Sequence, residues 1–284
     1  MSGIFTLGQV GRKQEGSTWD TVSDVFLTEK LVPVLGNYGY FAGGYDKNHI
    51  WRMDFANDTN LCPARSTLLV FSQWQVDGCS SKDYGYFAGG NQSPDAHRST
   101  VQRLDYANDT AQCVARTHLT SNSTQWSTTH TKDYGYWQAG DTINRTDFSN
   151  DTALALDRAD CSESRGNAMG FGNMAYGYFS GGGALSSIDR FDYASDTTNA
   201  VARSNLSHGN KDAGASSNSA YGYIAGGQTV SPSHTSVVDR LDFSSDTTNC
   251  APKGSLSAPK RHVGSTGNSI AGYHGGASPG NSIV

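Results

Sequence analysis

DYGYFAGG, residues 83–90, contains two tyrosines, a phenylalanine and three glycines, and the chain writes it repeatedly. NYGYFAGG begins at Asn37, DYGYWQAG at Asp133, AYGYFSGG at Ala175 and AYGYIAGG at Ala220. A worn copy, IAGYHGG, begins at Ile270. A short aromatic strand written six times in 284 residues, closed by a glycine pair in every copy but DYGYWQAG, makes internal repetition the first question for this fold.

A second cassette follows each of the first five anchors: RMDFANDT from Arg52, RLDYANDT from Arg103, RTDFSNDT from Arg145, RFDYASDT from Arg190 and RLDFSSDT from Arg240. Its internal spacing is fixed. Arg52, Arg103, Arg145, Arg190 and Arg240 stand six residues before Asp58, Asp109, Asp151, Asp196 and Asp246. Asp54, Asp105, Asp147, Asp192 and Asp242 stand four before them, and Arg65, Arg116, Arg158, Arg203 and Lys253 seven after. The later Asp of each cassette lies 25 or 26 residues before the next anchor, whereas anchor Tyr to Arg takes 14, 19, 11, 14 and 19 residues. Length variation is thus confined to one connection, as expected of a solvent-exposed loop on a fixed framework.

Each unit reads as β structure. VQRLDY alternates, with Val101, Arg103 and Asp105 on one face and Gln102, Leu104 and Tyr106 on the other. NDT is a turn whose Asp side chain accepts from backbone amides. Four strands per unit, a period of about 47 residues and a glycine pair after a strand predict an all-β protein, a six-bladed β-propeller. The predicted blades are 38–83, 84–133, 134–175, 176–220 and 221–270. The last is closed jointly by the two terminal segments, 271–284 plus 1–37, with residues 3–10 pairing within 271–284. The whole chain, 1–284, is then one domain.

Two resemblances follow from these residues. APKRHVGSTGNSIAGYHGG, residues 258–276, and VVDRLDFSSDT, residues 237–247, resemble a kelch repeat, which implies a kelch-like propeller. The cassette GYFAGG…V-x-R-L-D-Y-x-N-D-T resembles repeat proteins of marine tailed phages, cyanophages especially. It implies a virion structural protein, on the tail, baseplate, fibre or capsid.

Composition narrows the function classes. With 21 Lys+Arg against 26 Asp+Glu, the net charge of −5 offers no basic stripe for nucleic acid. No apolar run suits membrane insertion and no signal peptide is visible, so the expected place is the virion, after synthesis in the host cytoplasm. Cys62, Cys113 and Cys250 occupy the same repeat position and read as small buried residues rather than a disulfide or zinc framework. No catalytic, cofactor or metal motif stands out, so no enzyme and no cofactor are expected. The repeated Arg and Asp residues read as framework, because identical groups in every blade serve the ring.

Symmetry is broken in the elastic connections. NQSPDAHRST (91–100) and QTVSPSHTS (228–236) are the long versions, and YDKNHI (45–50) is intermediate. Asp46, Lys47, Asn48, His49, Gln92, Ser93, Asp95, His97, Arg98, Ser231, Ser233 and His234 are therefore the candidate binding residues. Asp95, His97 and Arg98 are expected to face His234 across the axis. The expected partners are other virion proteins, with several copies per particle. A host-surface glycan or protein is the further expectation, giving a role in host attachment. The alternative is a cellular kelch-like scaffold for protein–protein interaction.

Overall fold

The computed structural model describes residues 37–44, 47–69, 73–92, 96–229 and 233–278. They form antiparallel sheets. The first holds β1 (Tyr38–Ala42), β2 (His49–Asp54) and β3 (Ala64–Thr67). The second holds β4 (Gln73–Ser80), β5 (Tyr84–Gln92), β6 (Ala96–Asp105) and β7 (Val114–Ser123). The third holds β8 (Ser127–His130), β9 (Tyr134–Asp147) and β10 (Leu156–Arg165). The fourth runs β11 (Met169–Gly172), β12 (Tyr176–Ser180), β13 (Ser187–Asp192), β14 (Val201–Asn205). The fifth runs β15 (Gly214–Ser217), β16 (Tyr221–Ala225), β17 (Val237–Asp242), β18 (Ala251–Ser255). β19 (Arg261–Gly267) and β20 (Gly272–Ser278) complete the set as a two-stranded sheet.

The architecture is an all-β propeller with five blades, and this corrects the expected count of six. The sixth position holds only the hairpin β19–β20, because two strands are all that the described residues supply there. The proposed pairing of residues 3–10 with 271–284 involves residues outside those described. The hairpin nevertheless has neighbours on both sides: β19 packs on β15 and on β1. Leading strands touch in succession, β4 with β8, β8 with β11, and β11 with β15. Their approach is close. A Cβ on Gly170 of β11 would stand 2.1 Å from the Thr128 carbonyl oxygen of β8, so only glycine fits.

In blade after blade the anchor pairs with the cassette strand in one register. Tyr40 faces Arg52, Tyr86 faces Arg103, Tyr178 faces Arg190 and Tyr223 faces Arg240. β9 carries both segments at once: its first half pairs with β8 and its second with β10, around Gly140 at φ 65°. The early Asp of each cassette caps the turn that follows. Asp105, Asp147, Asp192 and Asp242 accept from the amide two residues on, opening a single turn of 3-10 helix, and Asp54 accepts from Ala56 N–H likewise.

The later Asp leaves its own blade. Asp109 accepts from Tyr40 Oη (3.0 Å), Arg52 Nη1 (2.8 Å) and Arg65 Nη2 (2.9 Å), all in the preceding blade. Asp151 takes Tyr86, Arg103 and Arg116 in the same way. Asp196 takes Tyr136, Arg145 and Arg158, and Asp246 takes Tyr178, Arg190 and Arg203. The cassette Arg therefore clasps the next blade rather than a turn of its own. Tyr273 of the hairpin donates to Asp58 at 2.8 Å, tying the hairpin to the first blade.

Backbone irregularity makes the clasp possible. The ladder between the cassette strand and the strand after it slips by one residue, and the residue skipped is Arg65, Arg116, Arg158, Arg203 or Lys253. A β-bulge re-aims a side chain, and here it turns the basic residue toward the neighbouring blade. Aromatic stacking runs parallel to the clasp. Tyr40 stacks on Tyr106, Tyr86 on Phe148, Tyr136 on Tyr193, Tyr178 on Phe243 and Tyr273 on Phe55, with ring centroids 4.7–5.3 Å apart. Each cassette Arg also lies 4.1–4.3 Å over the first Tyr of its own anchor.

A second tie was not visible in the sequence. The residue just before the cassette Arg accepts a backbone N–H from the preceding blade. Gln102 accepts from Leu69, Asn144 from Thr120, Asp189 from Ser162 and Asp239 from Ser207. Asp189 is also paired at 2.9 Å with Arg165, both fully buried. Of the five free cysteines, Cys79, Cys113, Cys161 and Cys250 are buried and Cys62 half-buried.

Removing one clasp carboxylate leaves two arginines and a buried tyrosine hydroxyl without an acceptor. Asp151→Ala is expected to cost about 3 kcal/mol in chemical denaturation, against about 1 kcal/mol for the capping variant Asp147→Ala. Equal losses would show that the clasp does not dominate.

Acid should weaken the ring from two sources. Burial holds His130 and His274 down at about 4, below the usual 6.5, so the unfolded chain binds their protons more readily. The stability they contribute is present above pH 6.5 and lost as pH falls toward 4. For the clasp carboxyls burial acts upward. At Asp109 the bonds from Arg65, Tyr40 and Arg52 outweigh it, as the two arginines do at Asp151 and Asp196. Tyr178 and Arg190 outweigh it at Asp246, and all four end below the usual carboxylate value. Their contribution is lost lower still. A melting temperature that falls steadily from pH 6.5 to pH 3.5 is the expected result of a pH-dependent thermal scan.

Candidate functional site

The elastic connections and the links between successive blades share one end of the strands, opposite the capped turns. Backbone bonds show the meeting: Gly227 N–H to Lys260 O, Lys260 N–H to Thr235 O, Gly182 N–H to Asn210 O and Gly183 N–H to Gly166 O. The glycine pairs Gly181–Gly182 and Gly226–Gly227, at the ends of their anchors, belong to this turn. Gly226, at φ 68°, sits in the left-handed region, and a Cβ there would come within 2.9 Å of the Lys260 carbonyl.

The candidate loop residues separate into groups. Asp46, Ser93, Asp95 and Ser231 lie outside the described residues. Gln92 and His97 belong to the extended β5–β6 hairpin, where His97 pairs with Asn91 and Gln92 with Ala96, while Arg98 pairs with Ser123 of β7. Lys47 and Asn48 turn the first blade's connection. Asn48 bonds Leu68 through both its carbonyl and its Nδ2, and Lys47 N–H reaches Gly44 O. His49 opens β2, beside the Trp51 ring at 5.7 Å, and lines a 420 Å³ depression with Arg65, Ser66, Thr110 and Gln112. Its buried Nδ1 has no hydrogen-bond partner among the described residues.

The fifth blade's connection is where groups converge. Gln228 forms backbone bridges with Lys211, from the link leading out of the fourth blade, and with His234. Ser233 accepts from Thr229 N–H and is exposed. Arg261, at the start of β19, donates to Gln228 Oε1 at 3.3 Å. Next to it, His262 Nδ1 stands 3.6 Å from Asp212 Oδ1. Burial holds the His262 imidazole below its usual value. Asp212 pulls the other way, and Arg261, His234 and Lys211 add to the depression. Lys211, Asp212, Gln228, His234, Arg261 and His262 thus form one polar group where the fourth blade, the fifth blade and the hairpin meet. Two imidazoles, two cations, an amide and a carboxylate suit hydrogen bonding to a polar partner surface.

Of the expected loop pair, His234 joins this group. Lys211, Asp212, Arg261 and His262 escaped the sequence reading because they lie in the constant 25-residue stretch. Asp212 and His262 have left-handed φ of 57° and 52°. Asn167 has 57° at the equivalent repeat position, so this backbone belongs to the framework. Among the described residues no group of three or more His, Cys, Asp or Glu is placed to hold a metal ion.

Comparison with known proteins bears on the fold alone. No protein-family model matches the chain, and no curated protein matches it. Neither comparison ties it to kelch or phage proteins. Solved structures match in number, 458 chains, so the architecture is widely shared. One, titled "Structure of YjhT", has a TM-score of 0.68 at 11% identity over 82% of this chain and 85% of that one. Likeness at that identity supports a β-propeller and carries no activity across.

Removing the Asp212 charge should lower the His262 titration further, because the carboxylate is the group that favours the imidazolium. In Asp212→Asn, an NMR pH titration should show His262 titrating at lower pH than in the parent. An unchanged midpoint would separate the two residues electrostatically.

Proposed function

We propose that this protein is a structural and interaction protein rather than an enzyme: a kelch-like propeller serving as a tailed-phage virion component. In this reading it docks to other virion proteins, in several copies per particle, through the face that carries the elastic connections. The carrying observation is how the polar repeat residues are divided. At four blade interfaces the second anchor Tyr, the cassette Arg and the later Asp are engaged in blade-to-blade bonds. The side chains that differ between blades gather on the loop face, as Lys211, Gln228, His234 and Arg261 do. The phage-like style of the cassette supports the virion setting. Contact with a host-surface glycan or protein is the second role open to that face.

The test shortens residues 91–97 and 228–235 to the length of the compact connection at Asp141–Asn144 in a phage that encodes the protein. The ring should still fold, with a melting temperature within a few degrees of the parent, since the clasps lie at the other end of the strands. Loss of incorporation into particles supports docking to virion proteins. Normal incorporation with lost adsorption assigns the face to the host surface. Normal values for both would remove this face as the interface.

A further inference from the structure

The polar group on the loop face carries an excess of positive charge. Lys211 and Arg261 are cations, His234 and His262 are imidazoles, Gln228 is neutral and Asp212 is the carboxylate among them. Two cations against one carboxylate leave one positive charge in excess with both imidazoles neutral, and three with both protonated, in a chain whose net charge is −5. The cations also break the repeat. Fifteen residues after the later Asp of each cassette stand Gln73, Thr124, Gly166, Lys211 and Arg261, so the two basic residues fall at neighbouring positions of the ring. Backbone bonds hold them in place. Lys211 N–H reaches Gln228 O at 3.1 Å and Gln228 N–H returns to Lys211 O at 2.7 Å, while Thr235 N–H, next to His234, reaches Gly227 O at 3.0 Å. Gly227 N–H bonds Lys260 O at 2.7 Å, which sets Arg261 beside Gln228.

We propose that this group is the docking site for an acidic segment of a partner protein, with a Glu or Asp side chain of that segment meeting Lys211, Arg261 and the two imidazoles. The inference rests on the reading that the loop face docks to a partner, and it names the partner's chemistry. A carboxylate arriving there accepts charge-assisted bonds from donors that the backbone network already positions, so little ordering is left to be done on binding. It also supplies what His262 lacks. Asp212 favours the imidazolium, but burial, with Arg261, His234 and Lys211, outweighs it and holds the ring below its usual value. A second carboxylate beside His262 shifts that balance toward the charged ring. Binding therefore takes up a proton, and affinity rises as pH falls through the range in which His262 titrates. Glutamate side chains, with an ordinary value of about 4.3, stay largely ionised over that range.

The test titrates hexaglutamate into the full chain at low salt, at pH 5.5 and pH 8, with NMR following the His262 ring. Saturable binding is expected, at least about threefold tighter at pH 5.5, with the ring signals moving toward their imidazolium positions. Lys211→Gln and Arg261→Gln should each weaken it at least about fivefold. Lys132→Gln, at the capped-turn end where Lys132 pairs with Asp133, should leave it unchanged. Arg261 also braces Gln228, so melting curves accompany the variants. If Arg261→Gln is unstable, Lys211→Gln decides, because Lys211 holds Gln228 through backbone bonds alone. Equal binding by Lys211→Gln and the parent, or tighter binding at pH 8, would overturn the proposal. So would a preference for hexagalacturonate, which carries the same charge on a sugar and would assign the group to a glycan. The docking reading is judged separately, by particle incorporation. If shortening the connections abolishes incorporation while the Lys211→Gln, Arg261→Gln double variant incorporates normally, the loop face remains the interface and this cluster alone is excluded.

Discussion

A carboxylate shared between neighbouring blades is the constraint on which the ring depends. Asp151 receives Tyr86, Arg103 and Arg116, all from the blade before it, with its side chain only 7% exposed. Burying one acid costs several kcal/mol unless its oxygens are saturated by donors. Two guanidiniums and a phenol meet that condition, and the arginines stay partly in water, which lessens their own desolvation. The bond is also directional. Each blade offers donors to the next and an acceptor to the one before, so blades add in one sense around the axis.

This geometry explains the rigid spacing of the cassette. The early Asp must cap a tight turn so that the later Asp projects out of its sheet. The basic residue seven positions on must bulge from the fourth strand to point at the following blade. One inserted residue would move the acid away from the incoming donors or return the bulge to the ladder. The stacked aromatic beside each acid, such as Phe148 under Tyr86, sets the approach of the sheets. The connection between anchor and cassette strand lies at the other end and escapes these demands. There the chain varies in length and side chain, and there Gln228, Lys211 and Arg261 converge.

The hairpin β19–β20 shows what a partial blade retains. Its leading strand β19 packs on β15 and on the anchor strand β1, and it keeps the Tyr273 bond and its stack on Phe55. Among the described residues it has no cassette strand, and its donor Tyr273 serves the first blade.

Much of this was legible in the residues themselves. The period, the aromatic anchor strands, the Asp-capped turn and the position of the variable connection are local properties, set by spacing, by alternation and by the φ that glycine permits. The sequence could mark Arg103 and Asp105 as recurrent and place them on one strand. It could not show that Arg103 pairs with Asp151, 48 residues ahead, because that choice depends on how sheets curve toward one another. The bulge at Arg116, the brace from Asn144 to Thr120 and the gathering of Asp212 with His262 depend on the same curvature. The number of complete blades was decided there too, since a repeat becomes a blade only when its strands find partners in space. The sequence by itself determined the repeating unit and its local turns. Only the tertiary structure decided which unit each charge would serve, because a hydrogen bond of about 3 Å is sensitive to the rotation between blades in a way that residue spacing cannot encode.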